Sequence, residues 1–159
     1  MKMILTIMII FVFSSCYYGT DEREILPSFN LLMMDSTTVF NTDSIREGKP
    51  FVILYFSPDC EHCHEQVKLL LENMPSFKSI QFYFFTPFSF KLLKQFYKYY
   101  HLYNYPNITV GYDYKFFIPA HYKPNSVPWV FIFNGSKRLE RIYQGGLTAS
   151  QLMDAVSKN

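Results

Sequence analysis

The chain has 159 residues, 49% hydrophobic and 18% charged, which is enough apolar surface for one compact domain and too little charge for a disordered tail. Aromatic residues supply 19%, nearly all Phe and Tyr, so a core forms without a disulfide framework, and three cysteines cannot build one. The net charge of +2 is scattered with no basic stripe, which excludes nucleic acid as a partner.

At the start of the chain, Lys2 gives a positive charge, Met3 to Phe13 are apolar except for Thr6, and Ser14-Ser15 precede Cys16. This pattern predicts a signal peptide over 1–15, because so short an apolar run, at about 1.5 Å per helical residue, cannot cross a hydrocarbon core of about 30 Å. Phe13-Ser14-Ser15-Cys16 resembles the lipobox of bacterial lipoproteins, although Phe13 stands where Leu is usual. That resemblance implies lipidation at Cys16 and a domain held on the periplasmic side of a bacterial membrane or on the cell surface. Residues 16–27 include Asp21, Glu22, Arg23 and Glu24 and read as a polar tether, with the folded domain over 28–159.

Within the domain, Phe29 to Met34 and Thr37 to Phe40 flank Asp35-Ser36 as a predicted hairpin, and Thr42 to Glu47 predict a helical turn closed by Gly48. Phe51 to Phe56 is a continuous apolar run, the pattern of a strand buried on both faces. The period then changes: Val67, Leu70, Leu71 and Met74 mark one face of a helix from Glu61 to Met74, stopped by Pro75. Ile80 to Thr86 predict another strand, and Ser89 caps a helix to Tyr100 with Leu92, Leu93, Phe96 and Tyr100 inward. The Tyr-rich stretch from Tyr97 to Tyr105 reads as packing. Tyr103 to Pro124 is weakly patterned, with a short strand at Ile108 to Val110 and a helical turn near Phe116. Trp129 to Phe133 and Arg138 to Tyr143 predict strands joined by a two-residue Asn134-Gly135 turn, and Thr148 with Gln151 form a capping box for a last helix carrying Leu152, Ala155 and Val156. This order predicts an α/β fold, a central mixed β-sheet flanked by helices with an N-terminal β-hairpin extension.

The chemistry concentrates in Cys60-Glu61-His62-Cys63. A helix start gathers unpaired N–H groups and about half a positive charge, which stabilises a thiolate at Cys60. Cys63, one helical turn on, is placed to attack a mixed disulfide at Cys60 and release a partner. A protonated His62 would add positive charge beside the thiolate and favour oxidation or isomerisation of substrates. Export places the pair where disulfides persist.

Gly48-Lys49-Pro50, the strand to Phe56, the Cys-x-x-Cys, the following helix, and Val127-Pro128 before a later strand together resemble the thioredoxin superfamily, in its exported, membrane-tethered thiol-disulfide oxidoreductases. The leading hairpin resembles an extra element of that branch, whose relatives include peroxiredoxins. The resemblance implies a thioredoxin-like sandwich, Cys60 as attacking thiolate, Cys63 as resolving thiol, a Cys60–Cys63 redox disulfide, and Pro128 as a cis-proline facing the pair. It further implies substrate contacts at Val127 and Trp129, no cofactor, exported protein thiols or disulfides as partners, and a membrane redox partner. Three positions depart from the pattern: Asp59 replaces the usual Trp, Leu54 replaces the buried acid of thioredoxins, and Gln66 replaces the Glu of the cytochrome-maturation branch. The proton acceptor for Cys63 is then Glu65, Glu61 or water.

Two rival readings use the same residues. Cys60-x-x-Cys63-His64 also fits the attachment motif of c-type haem, with His64 as axial ligand. A copper or zinc module would draw on Cys60, Cys63, His62 or His64 with His101 or His121, but no second compact ligand pair accompanies them. Peroxidase chemistry calls for Pro and Thr or Ser before the cysteine at positions held by Ile53 and Ser57, a half-match.

Overall fold

The structure, a computed structural model, describes residues 25–157. The predicted signal peptide and Cys16 lie outside the described residues.

Seven strands form one mixed sheet: β1 (Asn30–Met33), β2 (Val39–Asn41), β3 (Phe51–Tyr55), β4 (Gln81–Thr86), β5 (Ile108–Tyr112), β6 (Trp129–Phe133) and β7 (Leu139–Gln144). They lie in the order β2-β1-β5-β4-β3-β6-β7. Helices α1 (Glu61–Glu72) and α2 (Phe90–Tyr99) make the crossovers between the parallel strands β3, β4 and β5, while α3 (Phe117–Tyr122) and α4 (Ala149–Ser157) precede β6 and close the chain. A parallel pair needs such crossovers, and this is why apolar runs alternate with helical periods in the middle of the sequence.

The residues of β3 supply two cores. Val52 and Leu54, followed by Phe56, meet Cys63, Val67 and Leu70 of α1 and Leu152, Ala155 and Val156 of α4 on one face. Phe51, Ile53 and Tyr55 meet Ile118 and Tyr122 of α3 with Trp129 and Phe131 on the other. Alternation at a period of two sends successive side chains to opposite faces, so a strand covered on both sides reads as unbroken hydrophobicity.

One pairing positions the site. Antiparallel β6 sets Tyr55 against Trp129 and Phe51 against Phe133, so the end of β3 meets the beginning of β6. The loop leading to Cys60 and the Val127–Pro128 segment therefore converge at one edge of the sheet, although they are far apart in the chain.

Several local expectations are corrected. The turn after β2 is a 3-10 turn over Thr42–Ser44 alone, and Gly48 follows at φ 98°. Helix α1 stops at Glu72, with Pro75 inside a separate 3-10 turn, Met74–Phe77. Leu92 faces solvent because the buried stripe of α2 runs through Leu93 and Phe96. The turn between β6 and β7 is not a two-residue turn: its left-handed residue is Lys137, and Asn134 Oδ1 accepts from the Ser136 and Arg138 N–H groups at 2.9 and 3.0 Å. Gly135 suits a close approach there, since a Cβ would stand 3.1 Å from the Gly48 carbonyl carbon and the neighbouring backbone would have to give by a few tenths of an ångström. The docked chain begins before Ser28, because the Leu26 N–H donates to the Lys137 carbonyl at 2.9 Å and Leu26 is buried. The weakly patterned stretch forms β5 and α3, and the final helix carries the expected capping box: Thr148 N–H donates to Gln151 Oε1 at 2.8 Å, and Gln151 N–H to Thr148 Oγ1 at 3.2 Å.

Candidate functional site

Cys60 is the N-cap residue of α1, in extended backbone conformation. Its carbonyl accepts from the Cys63 and His64 N–H groups, each at 3.1 Å, and opens the helix, while its own N–H donates to the Ser57 carbonyl at 3.2 Å. The half-buried Cys60 thiol points at the Val127 carbonyl, 3.8 Å away. The Val127–Pro128 peptide is cis, and the Pro128 carbonyl accepts from Gly145 N–H at 2.8 Å. Both thiols are free.

Cys63 is fully buried beneath Cys60 in the α1 core. Burial pushes its thiol far above the ordinary value, and hydrogen bonding to Cys60, the Cys60 charge and that of Asp59 push the same way, opposed in part by the Ser57 main chain. The two cysteines thus differ in access: one can meet a large partner, the other only its neighbour.

At the two positions where the resemblance implies an acid, none can take the Cys63 proton, since Leu54 is fully buried and apolar and Gln66 is a neutral amide. Gln66 is buried beside the Gly145–Gly146 bend, where its Oε1 accepts from Leu147 N–H at 2.7 Å. Gly146, at φ 94°, is needed for that approach, since a Cβ would collide with Gln66 Oε1. Asp59, Glu61 and Glu65 are all exposed, leaving solvent-facing carboxylates and water as acceptors.

The neighbours of Cys60 differ from expectation in orientation. His62 turns outward, its Nδ1 3.1 Å from Glu65 Oε2, with the two side chains 77% and 65% exposed. The imidazole is paired with its own carboxylate partner instead of standing alone beside the thiol. Asp59 accepts a hydrogen bond from Ser57 Oγ and stays close to the dithiol. Trp129 is buried, 6% exposed, packs near Phe131 in the core on the face of the sheet opposite Cys63, and offers no exposed side chain to a partner. Val127 is half-buried and is the residue of that segment placed against Cys60.

His64 is fully engaged: Nε2 lies 2.9 Å from the Pro58 carbonyl and Nδ1 2.6 Å from the Tyr100 hydroxyl. Both nitrogens that the haem and metal readings would use therefore face protein partners. Among the described residues no three His, Cys, Asp or Glu side chains are grouped as a metal site needs. His101 is exposed and bonds to Tyr103, and His121 stacks on Phe117. Gln66 falls with Cys63, Val67 and Leu70 at i, i+3, i+4 and i+7 on the buried stripe of α1, a spacing that signals its burial. The engagement of His64 carries no periodic signal; only its position directly after Cys63 points to it. The same holds for Asp113, whose fully buried carboxylate caps α3 by accepting from Phe117 and Ile118 N–H at 2.9 and 2.8 Å.

No protein-family model matches the sequence, and no curated protein is similar to it. Solved structures are similar. A secreted Mycobacterium tuberculosis disulfide oxidoreductase homologous to E. coli DsbE matches with TM-score 0.67 and 18% identity over 82% of this chain and 96% of its own. An exposed lipoprotein thioredoxin of Streptococcus pneumoniae matches at TM-score 0.65 and 15% identity over 84% and 100%. A peroxiredoxin-like protein of Aquifex aeolicus matches at 0.68 and 15% over 85% of each chain. With a mixed sheet between helices and a dithiol at the head of the helix after its central strand, the chain has the thioredoxin-like fold.

Proposed function

We propose that the protein is an exported, membrane-tethered thiol-disulfide oxidoreductase whose Cys60–Cys63 dithiol reduces disulfides in exported proteins. The observation that carries this reading is the accessible Cys60 thiol at the α1 N-terminus, facing the Val127 carbonyl, with Cys63 buried one turn on. The Cys60 thiolate attacks one sulfur of a substrate disulfide; that bond breaks, and the departing sulfur takes a proton. Cys63 releases its proton to solvent or an exposed carboxylate and attacks Cys60 Sγ, expelling the second substrate sulfur, which is protonated in turn. Two electrons pass to the substrate and the chain is left with a Cys60–Cys63 disulfide. A membrane redox partner of dithiol chemistry returns them. The Val127 main chain pairs with the extended substrate segment, and Pro128 shapes that edge.

What supports the reducing direction is the Asp59 carboxylate held close to the dithiol, where a negative charge opposes a thiolate, and the turn of His62, the argument for oxidation, away from the thiol toward Glu65. Export and lipidation at Cys16 rest on the N-terminal sequence, and the secreted and lipoprotein character of the structural neighbours supports them. The test uses a disulfide-linked peptide pair. Reduced wild-type protein should cleave it, and Cys63→Ser should accumulate a mixed disulfide through Cys60. A Cys63→Ser protein that forms no adduct, with an inert wild type, would overturn the reading.

A further inference from the structure

We propose that His64 is a positioning residue that sets how strongly the Cys60–Cys63 disulfide forms, by clamping the loop in front of Cys60 to two helices; this rests on the reading of the pair as an exchanging couple. The Pro58 carbonyl can only accept, so His64 Nε2 carries a hydrogen and donates to it at 2.9 Å. In the neutral ring Nδ1 is then the acceptor for the Tyr100 hydroxyl at 2.6 Å. Tyr100 is the C-cap residue of α2, and the imidazole also packs on the Phe96 and Tyr100 rings, 5.0 and 5.5 Å between centroids. One side chain in the first turn of α1 thus joins that turn, the loop from Ser57 to Asp59 and the end of α2.

Closing a disulfide depends on the effective concentration of one sulfur at the other, and small losses of alignment lower it steeply. Cys63 is fixed by its burial in the core, whereas Cys60 hangs on the Ser57–Asp59 loop, whose main chain is tied forward by the Cys60 N–H to Ser57 carbonyl bond at 3.2 Å. The His64 bond to Pro58 holds that loop from the helix side. Without it Cys60 samples more positions, the intramolecular disulfide weakens, and a mixed disulfide with substrate persists longer.

The experiment equilibrates the full chain with mixtures of reduced and oxidised glutathione and measures the constant for the Cys60–Cys63 disulfide. His64→Phe keeps an aromatic ring but loses both hydrogen bonds, and should lower the constant about fivefold, the worth of one net hydrogen bond. His64→Gln, whose amide N–H can reach the Pro58 carbonyl, should recover most of it. Tyr100→Phe, a milder change that keeps the proposal testable should His64→Phe misfold, should lower it about twofold. Phe96→Leu loosens the same packing without touching either bond, and should lower thermal stability while leaving the constant unchanged. An unchanged constant in His64→Phe and Tyr100→Phe, no recovery in His64→Gln, or an equal loss in Phe96→Leu would overturn the positioning role. A wild type that forms no Cys60–Cys63 disulfide at any glutathione ratio would instead overturn the exchange reading and the role of His64 with it.

Discussion

Burial separates the two cysteines chemically. A thiol must ionise to react, and Cys63 is fully buried with its thiol held far above the ordinary value, while Cys60 is half-open at the helix start. Alkylation of the reduced protein near neutral pH should therefore label Cys60 and leave Cys63 until the protein is unfolded; peptide mapping that finds Cys63 modified first would reverse the assignment. The charges beside Cys60 act in opposition. Exposed pairs such as His62–Glu65 carry little energy. His62→Ala should thus shift the couple's potential by less than about 20 mV, since about 30 mV corresponds to 1.4 kcal/mol. Asp59→Asn removes a negative charge held close to the dithiol, where it opposes a thiolate, and should raise the potential by more than His62→Ala moves it. Electrochemical titration of both variants checks the order, and the reverse order would restore the oxidising reading of His62.

The elements follow from local sequence rules wherever those rules act within one turn. Helix α4 is an example: the reciprocal Thr148 and Gln151 bonds fix its start, and Leu152, Ala155 and Val156 face the core. Thr148→Ala should cost about 1 kcal/mol in denaturant unfolding without altering the spectrum of the folded state. Helix α3 is held differently, by the Asp113 carboxylate beneath its first N–H groups. Burial raises the Asp113 pKa above its ordinary 3.8, only partly offset by those bonds. The folded state then prefers the protonated acid, so this contribution to stability is complete below the unfolded value and is lost as pH rises through the higher folded value. Unfolding measured from pH 3 upward should show wild type losing stability relative to Asp113→Asn across that window. A difference that stays flat with pH would mean the capping bonds fully offset the desolvation. Leu92 marks the limit of pattern reading at this scale, because adjacent Leu92 and Leu93 fit the same periodicity and only the neighbouring sheet selects Leu93.

At the scale of the molecule, the site is a junction of segments brought together by the sheet. The β3–β6 register carries Val127 to Cys60, and the bend at Gly145–Gly146 seats Gln66 under the same edge. Gly146→Ala should destabilise the protein by about 1–2 kcal/mol, since it combines a left-handed backbone position with a Cβ driven onto Gln66. It should also slow disulfide exchange, because the displaced amide lies beside the Pro128 edge. Measuring stability and peptide-disulfide cleavage in one variant tests both, and an effect on stability alone would separate the bend from the site.

By itself the sequence determined the alternation of strands and helices, the burial of β3 on both faces, the capping of α4 and the place of Cys60 at a helix start, because each depends on residues within a few positions of one another. Only the tertiary structure decided what faces the thiol. The partners of Cys60 and Gln66 lie 67 and 81 positions away, and the register of an antiparallel pair and the course of a bend, not local periodicity, bring them into contact. The directions of His62 and His64 were decided in the same way. Both sit on the first turn of α1, but one is turned to water and Glu65, and the other is drawn inward by a carbonyl and a hydroxyl that the fold places within reach.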